Sequence, residues 1–180
     1  MTKHWTILVT ASLATLLALL APALVARADI FEWEYINPGD PSQGKQQSTM
    51  LCPDGAGANA VPGEILFYRN FTMAYLIGAN LTGAYLQGAN LTDAELSQAN
   101  LTNTNFEGFW SDYYLVPGAN FTSANLTQAN LTNTNFIYAT LTGANFTNAE
   151  VRRANFYRDS YGGSGITLAQ LYSTASRPTI

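Results

Sequence analysis

The chain has 180 residues, of which 47% are hydrophobic and 11% charged, with a formal net charge of −4. This length is enough for one domain. The one histidine, His4, lies in a leader segment, so the rest of the chain lacks the imidazole needed for Ser-His-Asp or Cys-His catalysis and for His-ligated metal sites, and we expect no catalytic residue, no cofactor and no metal.

Residues 1–28 have the pattern of a signal peptide. Lys3 and His4 precede an apolar stretch from Ile7 to Val25, and Ala26-Arg27-Ala28 supplies small residues for cleavage before Asp29. An uncleaved membrane anchor is the alternative, because the apolar run is almost long enough to span a bilayer. We expect export to the periplasm, the cell surface or the medium, with the membrane involved only through this segment before cleavage.

Residues 29–63 are predicted to cap the domain that follows. Phe31-Glu32-Trp33-Glu34-Tyr35 alternates as a half-buried strand does, and a turn-rich stretch comes next. A cation site is the alternative for this acidic segment, but its Asp and Gly residues lack the dense oxygen ligands of a calcium loop. Cys52 has no partner for an intramolecular disulfide and is expected to be an unpaired surface thiol, with intermolecular pairing as the alternative.

A five-residue pattern repeats from residue 64 to residue 156, as in Ala79-Asn80-Leu81-Thr82-Gly83. On a helix, a period of five would rotate the central apolar residue by about 140° per repeat and form no stripe, so helix is rejected. In extended chain the Ala and the Leu or Phe share a face, and a corner in every repeat then builds a solenoid. The predicted core consists of Leu81, Leu86, Leu91, Leu96, Leu101, Phe106, Phe121, Leu126, Leu131, Phe136, Leu141 and Phe146.

The run is irregular at residues 107–118, although the register survives because the interrupting stretch, 109–118, is ten residues long. This stretch is either two degenerate repeats or a bulge, and a bulge would display Phe109, Trp110, Tyr113 and Tyr114. Exposed aromatic clusters are common at recognition surfaces, so these four residues are the candidate interaction surface. The alternative is that the rings only pack on their own corner.

Residues 157–180 are predicted to form a loop and a short helix, with Thr167 as the N-cap. One short helix can cover only part of the last coil, so we expect an incomplete cap that leaves strand edges open to end-to-end self-association.

The repeats resemble the pentapeptide-repeat family with its A(N/D)LXX unit, and the resemblance implies an all-β fold: a right-handed, four-sided β-helix with about twenty residues per coil. If four pentads make one coil, then Leu81, Leu101, Phe121 and Leu141 form one ladder, and Leu86, Phe106, Leu126 and Phe146 another. The segment from Phe31 also resembles the leader of exported bacterial members, many from planctomycetes, with no assigned activity.

The expected function is that of a non-enzymatic exported scaffold or interaction module with an unknown protein or surface glycan as partner. In the alternative, outward rows of Asn and Thr bind carbohydrate or another ordered surface; one face would carry Asn80/Thr82, Asn100/Thr102 and Asn120/Thr122. Some members of the family mimic DNA and bind gyrase. Residues 64–156 have six acidic and three basic residues, a net of only −3, and the chain carries an export signal, so this role is the least favoured alternative. No nucleic acid is expected as a partner.

Overall fold

The computed structural model describes residues 29–111, 114–159 and 162–175. The predicted targeting segment 1–28 lies outside these residues. Within them, no helix has the length and apolar character needed to cross a membrane.

The repeats form a right-handed, four-sided β-helix, as the resemblance implied. Parallel bridges link residues twenty apart, among them Ile65 to Tyr85 and Asn80 to Asn100. In each rung the backbone hydrogen bonds alternate in direction: Leu81 N donates to Asn100 O at 2.8 Å, and Asn100 N donates to Ala79 O at 2.8 Å. Every side of the solenoid is therefore a narrow parallel sheet, one bridge wide per coil.

A tight turn at each corner explains the composition of the repeat. Ala84 N donates to Leu81 O at 3.0 Å, and Gly83 has φ of +66°, the positive φ that a type II turn requires at its third residue. Asn80 Oδ1 accepts from Thr82 N at 3.2 Å and from Thr82 Oγ1 at 2.7 Å, which braces the corner. Asn and Thr therefore recur in the repeat because they hydrogen-bond across the turn, and Gly recurs because the turn requires a positive φ.

The solenoid interior is filled by the repeat centres and their alanines. All twelve predicted core residues are at most 1% exposed. Three phenylalanines stack along one ladder: the ring centroids of Phe106 and Phe136 lie 5.2 Å apart, and those of Phe136 and Phe156 lie 5.1 Å apart. Burying one such side chain contributes roughly 1.5–3 kcal/mol, so this core is the main source of stability.

Residues 109–118 leave the coil as a hairpin, which excludes two degenerate repeats. Strand β3 (Phe109–Trp110) pairs antiparallel with β4 (Leu115–Val116). The chain re-enters where it left, because Ala119 N donates to Phe106 O at 2.9 Å. A Cβ on Gly108 would lie 2.3 Å from Gly118 N, so the close approach at the hairpin base requires glycine.

This excursion makes the predicted ladders wrong beyond residue 106. Bridges across it join residues thirty apart, such as Asn90 to Asn120 and Asn100 to Asn130. Leu101 therefore stacks between Leu81 and Leu131 rather than against Phe121. The ten-residue excursion keeps every later Leu and Phe in the five-residue register. It lengthens this one coil from twenty residues to thirty, however, so the ladder partners change.

The N-terminal segment covers one side of the first coil. Strand β1 (Phe31–Tyr35) pairs antiparallel with β2 (Lys45–Leu51), and the two flank a 3-10 turn at Pro41–Gln43. The other edge of β1 joins the solenoid, since Trp33 N donates to Met73 O at 2.8 Å and Tyr75 N donates to Phe31 O at 2.8 Å. The first coil thus continues into an antiparallel hairpin.

An ion pair fastens this hairpin to the second coil. Lys45 Nζ contacts Glu95 Oε1 and lies 3.4 Å from the centroid of the Trp33 ring. Glu95 is buried, and its second oxygen accepts from Asn125 Nδ2 at 2.8 Å. The carboxylate is therefore fully partnered beneath the hairpin.

The expectation that Cys52 is a surface thiol is wrong, because the side chain is only 2% exposed and belongs to the same core as Ile30 and Ala58. Burial, with a smaller effect from Glu32, raises the pKa of the Cys52 thiol to about 12. Intermolecular pairing through this thiol would require the cap to open.

The C-terminal segment lies on the last coil. Strands β5 (Arg158–Asp159) and β6 (Gly162–Gly163) form a short hairpin before helix α1 (Leu168–Tyr172). Thr167 caps α1 in a reciprocal arrangement with Gln170. Gln170 Nε2 also donates to Leu141 O and Ala144 O, at 2.8 and 2.9 Å, so the helix satisfies carbonyls at the open end of the solenoid.

Candidate interaction surface

Three of the four corners of the solenoid are dominated by small polar residues, and the fourth is aromatic. Each corner is formed by the two residues that follow a repeat centre. On the three polar corners most of the first positions are threonine, as at Thr92, Thr102 and Thr127. The fourth has no threonine at this position in any coil. We call its residues the aromatic corner: Phe67, Tyr68, Gln87, Gly88, Glu107, Gly108, Ile137, Tyr138, Tyr157 and Arg158.

The β3–β4 hairpin projects from the aromatic corner directly after Gly108. Phe109 is 49% exposed and Tyr114 is 63% exposed. Beyond the paired residues, Ser111 Oγ donates to Tyr114 O at 2.9 Å. The hairpin therefore extends the apolar surface of the corner outward.

The structure places two of the four predicted surface residues at exposed positions, gives only the backbone pairing of the third and does not describe the fourth. Phe109 and Tyr114 are exposed, as a displayed bulge requires. Trp110 lies in β3, where its backbone pairs with Leu115. Tyr113 lies outside the described residues.

A cleft of about 200 Å³ opens between the hairpin and the first two coils, lined by Phe67, Tyr68, Gln87 and Phe109. The Phe67 ring meets that of Tyr85 edge-on, with the centroids 6.1 Å apart. A Cβ on Gly88 would lie 2.3 Å from Tyr68 Cδ1, so the Tyr68 ring rests on the Gly88 backbone. Glycine at this position lets the ring lie flat along the corner.

Gln87 is the polar part of this lining. Its Oε1 is buried, and no residue in the described part of the chain donates a hydrogen bond to it. A buried acceptor left unpaired costs about 1–3 kcal/mol. Because no water-sized group reaches this oxygen, it is an unpaired acceptor inside the corner and not a contact point of the cleft.

Sequence reasoning missed Phe67, Tyr68 and Gln87. The signal was present, since Phe67 and Tyr68 stand where most repeats have Thr and a turn-forming residue. Two adjacent rings at a solvent-facing turn depart from the residue types that the repeat uses at its other corners.

The predicted row of Asn and Thr differs from the observed one. Asn120 shares its side with Asn70 and Asn90, because the excursion shifts the rows by two pentads. The polar atoms are also engaged internally: Asn120 Oδ1 accepts from Thr122 N and Oγ1 at 3.0 and 2.7 Å, and its Nδ2 donates to Thr92 Oγ1 at 3.1 Å. The Asn and Thr side chains therefore stabilise the turns within one coil and form hydrogen bonds between neighbouring coils.

A second depression, of about 260 Å³, is lined by Thr132, Arg152 and Arg153. Arg152 Nε already pairs with Glu150 Oε1 at 3.3 Å, and the Arg152 side chain is largely exposed. Among the described residues, no three His, Cys, Asp or Glu side chains are grouped so that they could hold a metal ion.

Comparison with known proteins identifies the repeats. The family model described as pentapeptide repeats matches residues 70–108 and 118–157 in eight copies. The match is interrupted where the hairpin lies. None of the curated proteins is significantly similar to the chain.

Several solved structures are similar to the chain. A pentapeptide repeat protein from the Arabidopsis thaliana thylakoid lumen is 31% identical over 51% of this chain and 65% of its own, with a TM-score of 0.37. The cyanobacterial protein Rfr23 from Cyanothece is 26% identical over 69% of this chain and 73% of its own, with a TM-score of 0.27. QnrB1, a plasmid-mediated fluoroquinolone resistance protein, is 16% identical over 53% of this chain and 49% of its own, with a TM-score of 0.31. The chain thus spans less than two-thirds of the length of the first and the last of these.

Proposed function

Residues 70–108 and 118–157 belong to the pentapeptide-repeat family, and from this premise we propose that the chain is a non-enzymatic, exported interaction module that binds its partner through the aromatic corner and the β3–β4 hairpin. The observation that carries the proposal is the asymmetry of the corners. Threonine dominates three of them and is absent from the first positions of the fourth, where two of the five residues, Phe67 and Tyr157, are exposed rings.

The energetics of the surface support this choice. A threonine at a corner forms hydrogen bonds with the repeat itself, as Thr82 does with Asn80. Phe67 cannot make that hydrogen bond. Although its ring packs edge-on against Tyr85, 43% of Phe67 and 62% of Tyr68 remain exposed to water. Exposed aromatic clusters of this kind are enriched at the energetic centres of interfaces.

The charge of the solenoid weighs against a nucleic-acid partner or a DNA-mimicking role. The repeat region has a net charge of only −3, counted as six acidic against three basic residues over 64–156. The surface that departs from the repeat is aromatic rather than acidic. Export, inferred from residues 1–28, would in addition remove the chain from cytoplasmic DNA and gyrase.

Site-specific photocross-linking tests the proposal. A benzoylphenylalanine placed at Phe109 is expected to capture a component of the cell envelope, whether protein or glycan. The same group placed at Thr127, on a polar corner, is the matched control. Equal capture from both positions, or none from Phe109, would show that the aromatic corner is not the binding surface.

A further inference from the structure

We infer that the solenoid binds an oxyanion of the phosphate or sulfate class in the depression lined by Thr132, Arg152 and Arg153. This site goes beyond the proposed function, because its residues lie on a polar corner and not on the aromatic one. The evidence lies in the stacking of two turns, in a threonine hydroxyl that the turn does not use and in two adjacent guanidinium groups.

The three lining residues belong to the same corner in two successive coils. Asn133 N donates to Arg152 O at 2.9 Å, so the turn at Thr132 and Asn133 stacks directly on the turn at Arg152 and Arg153. Successive coils of a parallel β-helix lie roughly 4.8 Å apart. An anion in the depression can therefore contact side chains of both turns at once.

The hydroxyl of Thr132 differs from those of the other threonines in the same kind of turn. In seven of the eight Asn-X-Thr turns of the solenoid, Thr Oγ1 donates to the Asn Oδ1 at 2.6–2.7 Å. At Thr132 only the backbone N donates to Asn130 Oδ1, at 3.1 Å, and the hydroxyl has no hydrogen-bond partner among the described residues. One donor that the turn normally uses is thus available to a ligand.

The two arginines supply the positive charge. Glu150 stands where most repeats have Asn; its Oε1 accepts from Arg152 N at 3.2 Å and pairs with Arg152 Nε at 3.3 Å, which holds that guanidinium at the corner. Within the described part of the chain, the Arg153 side chain makes no hydrogen bond or ion pair. Two adjacent guanidinium groups repel each other, and one carboxylate offsets only half of their charge. A bound anion would relieve the remaining repulsion.

The donor set favours a phosphate or sulfate group over a carboxylate. The planar guanidinium matches the paired oxygens of such groups, and two of them together with a hydroxyl require more than the two oxygens that a carboxylate has. The Arg152 side chain is 72% exposed, so the depression, of about 260 Å³, opens to solvent. It therefore admits a free anion as well as one attached to a larger molecule.

Nuclear magnetic resonance of the arginine Nε–H groups of the purified protein tests the inference. Sodium phosphate or sulfate is added at constant pH and ionic strength, with chloride as the reference and acetate as the carboxylate comparison. Saturable shifts are expected for Arg152 and Arg153 with phosphate or sulfate, and none for Arg69. No saturable shift with either anion, or an equal affinity for acetate, would overturn the inference, whatever cross-linking at Phe109 shows.

Arg153→Gly removes one guanidinium without disturbing the turn, because Arg153 has φ of 56° and the same corner carries Gly83 in an earlier coil. Anion affinity is expected to fall about tenfold while the unfolding midpoint stays the same or rises. Gln98→Gly, with φ of 60° at the same position of a repeat on another corner, is the matched control and should keep the affinity. Equal loss of affinity in both variants would contradict the site.

Gels containing dextran sulfate, with uncharged dextran as the comparison, separate the two sources of the anion. Retardation that Arg153→Gly abolishes would assign the ligand to a group carried by a larger molecule. Saturable shifts without retardation would assign it to a free anion. Retardation that is unchanged in Arg153→Gly would overturn the site.

Thr132→Val separates a ligand contact from a structural role. The hydroxyl of Thr132 has no partner among the described residues, so the unfolding midpoint should stay the same while anion affinity falls roughly three- to tenfold. Thr102→Val, on the same corner, removes the hydrogen bond to Asn100 Oδ1 at 2.7 Å and should lower the midpoint without changing the affinity. Unchanged affinity in Thr132→Val, or the same two effects in both variants, would contradict the assignment.

Discussion

Deletion of residues 109–118 should leave the solenoid intact. It joins Gly108 directly to Ala119 and restores an unbroken repeat, Phe106-Glu107-Gly108-Ala119-Asn120. The structure has already closed this corner, since Ala119 N donates to Phe106 O at 2.9 Å, the distance seen in ordinary turns such as Ala124 N to Phe121 O. Gly108 can adopt the positive φ of the other corners without a Cβ penalty.

The expected change in the free energy of unfolding is small because two effects oppose each other. Removing a ten-residue loop relieves a closure entropy of about 2 kcal/mol. It also removes Val116, the one buried apolar side chain among the described residues of the hairpin, whose burial contributes roughly 1.5–3 kcal/mol. The net effect is within about 1–2 kcal/mol, so Tm should change by less than about 8 °C in a domain of this size.

Deletion of residues 89–98 is the matched control, because it also removes ten residues and preserves the five-residue register. It takes away Leu91 and Leu96, both fully buried, and Glu95, which anchors the N-terminal hairpin through Lys45. The two leucines alone represent roughly 3–6 kcal/mol of burial. Thermal and urea unfolding followed by circular dichroism should rank the 109–118 deletion as far more stable; equal destabilisation of the two would refute the assignment of the hairpin as an excursion.

Further predictions address the core, the corners, the cap and the open end. Leu101→Asp should prevent stable folding by placing a carboxylate between Leu81 and Leu131, whereas Thr102→Asp, which faces solvent, should shift the urea midpoint little. Gly83→Ala should destabilise by about 1 kcal/mol and Gln98→Gly should be neutral or stabilising, because both positions have positive φ; the opposite order in thermal melts would contradict the corner geometry. Because folding raises the pKa of the Cys52 thiol to about 12, its contribution to stability is complete below the unfolded pKa near 9.0 and is lost as pH rises toward 12, so denaturant midpoints should fall over that window in the native chain but less in Cys52→Ala. Finally, sedimentation over a wide concentration range should show end-to-end association, because the amides of Leu141 and Val151 in the last coil have no hydrogen-bond partner among the described residues; a monomer at every concentration would mean that the C-terminal segment completes the cap.

The repeat was predictable because it is a local property of the sequence. The period of five excludes a helix and requires a corner, and the inward position of Leu101 follows from the alternation of a strand. The N-cap at Thr167 was predictable for the same reason, since its partner Gln170 is three residues away. Such features depend on neighbours within one or two repeats.

The ladder partners of Leu101 were not predictable, because they depend on whether ten residues stay in the coil or leave it. Either outcome keeps every later Leu and Phe in register, so the pattern does not distinguish them. The burial of Cys52 escaped prediction for a related reason: it follows from the packing of the cap on the solenoid, where the partners are distant in sequence. The cleft at Gln87 depends on both the excursion and the coil count.

The closed base of the hairpin has an evolutionary consequence. Insertion of two ordinary repeats would turn every later side chain through half a revolution and separate residues that face a common partner. An insertion that departs and returns between Gly108 and Gly118 leaves the downstream faces in place, whatever its length. This corner is therefore a position where loops can be inserted or exchanged during evolution without changing the packing of the rest of the solenoid.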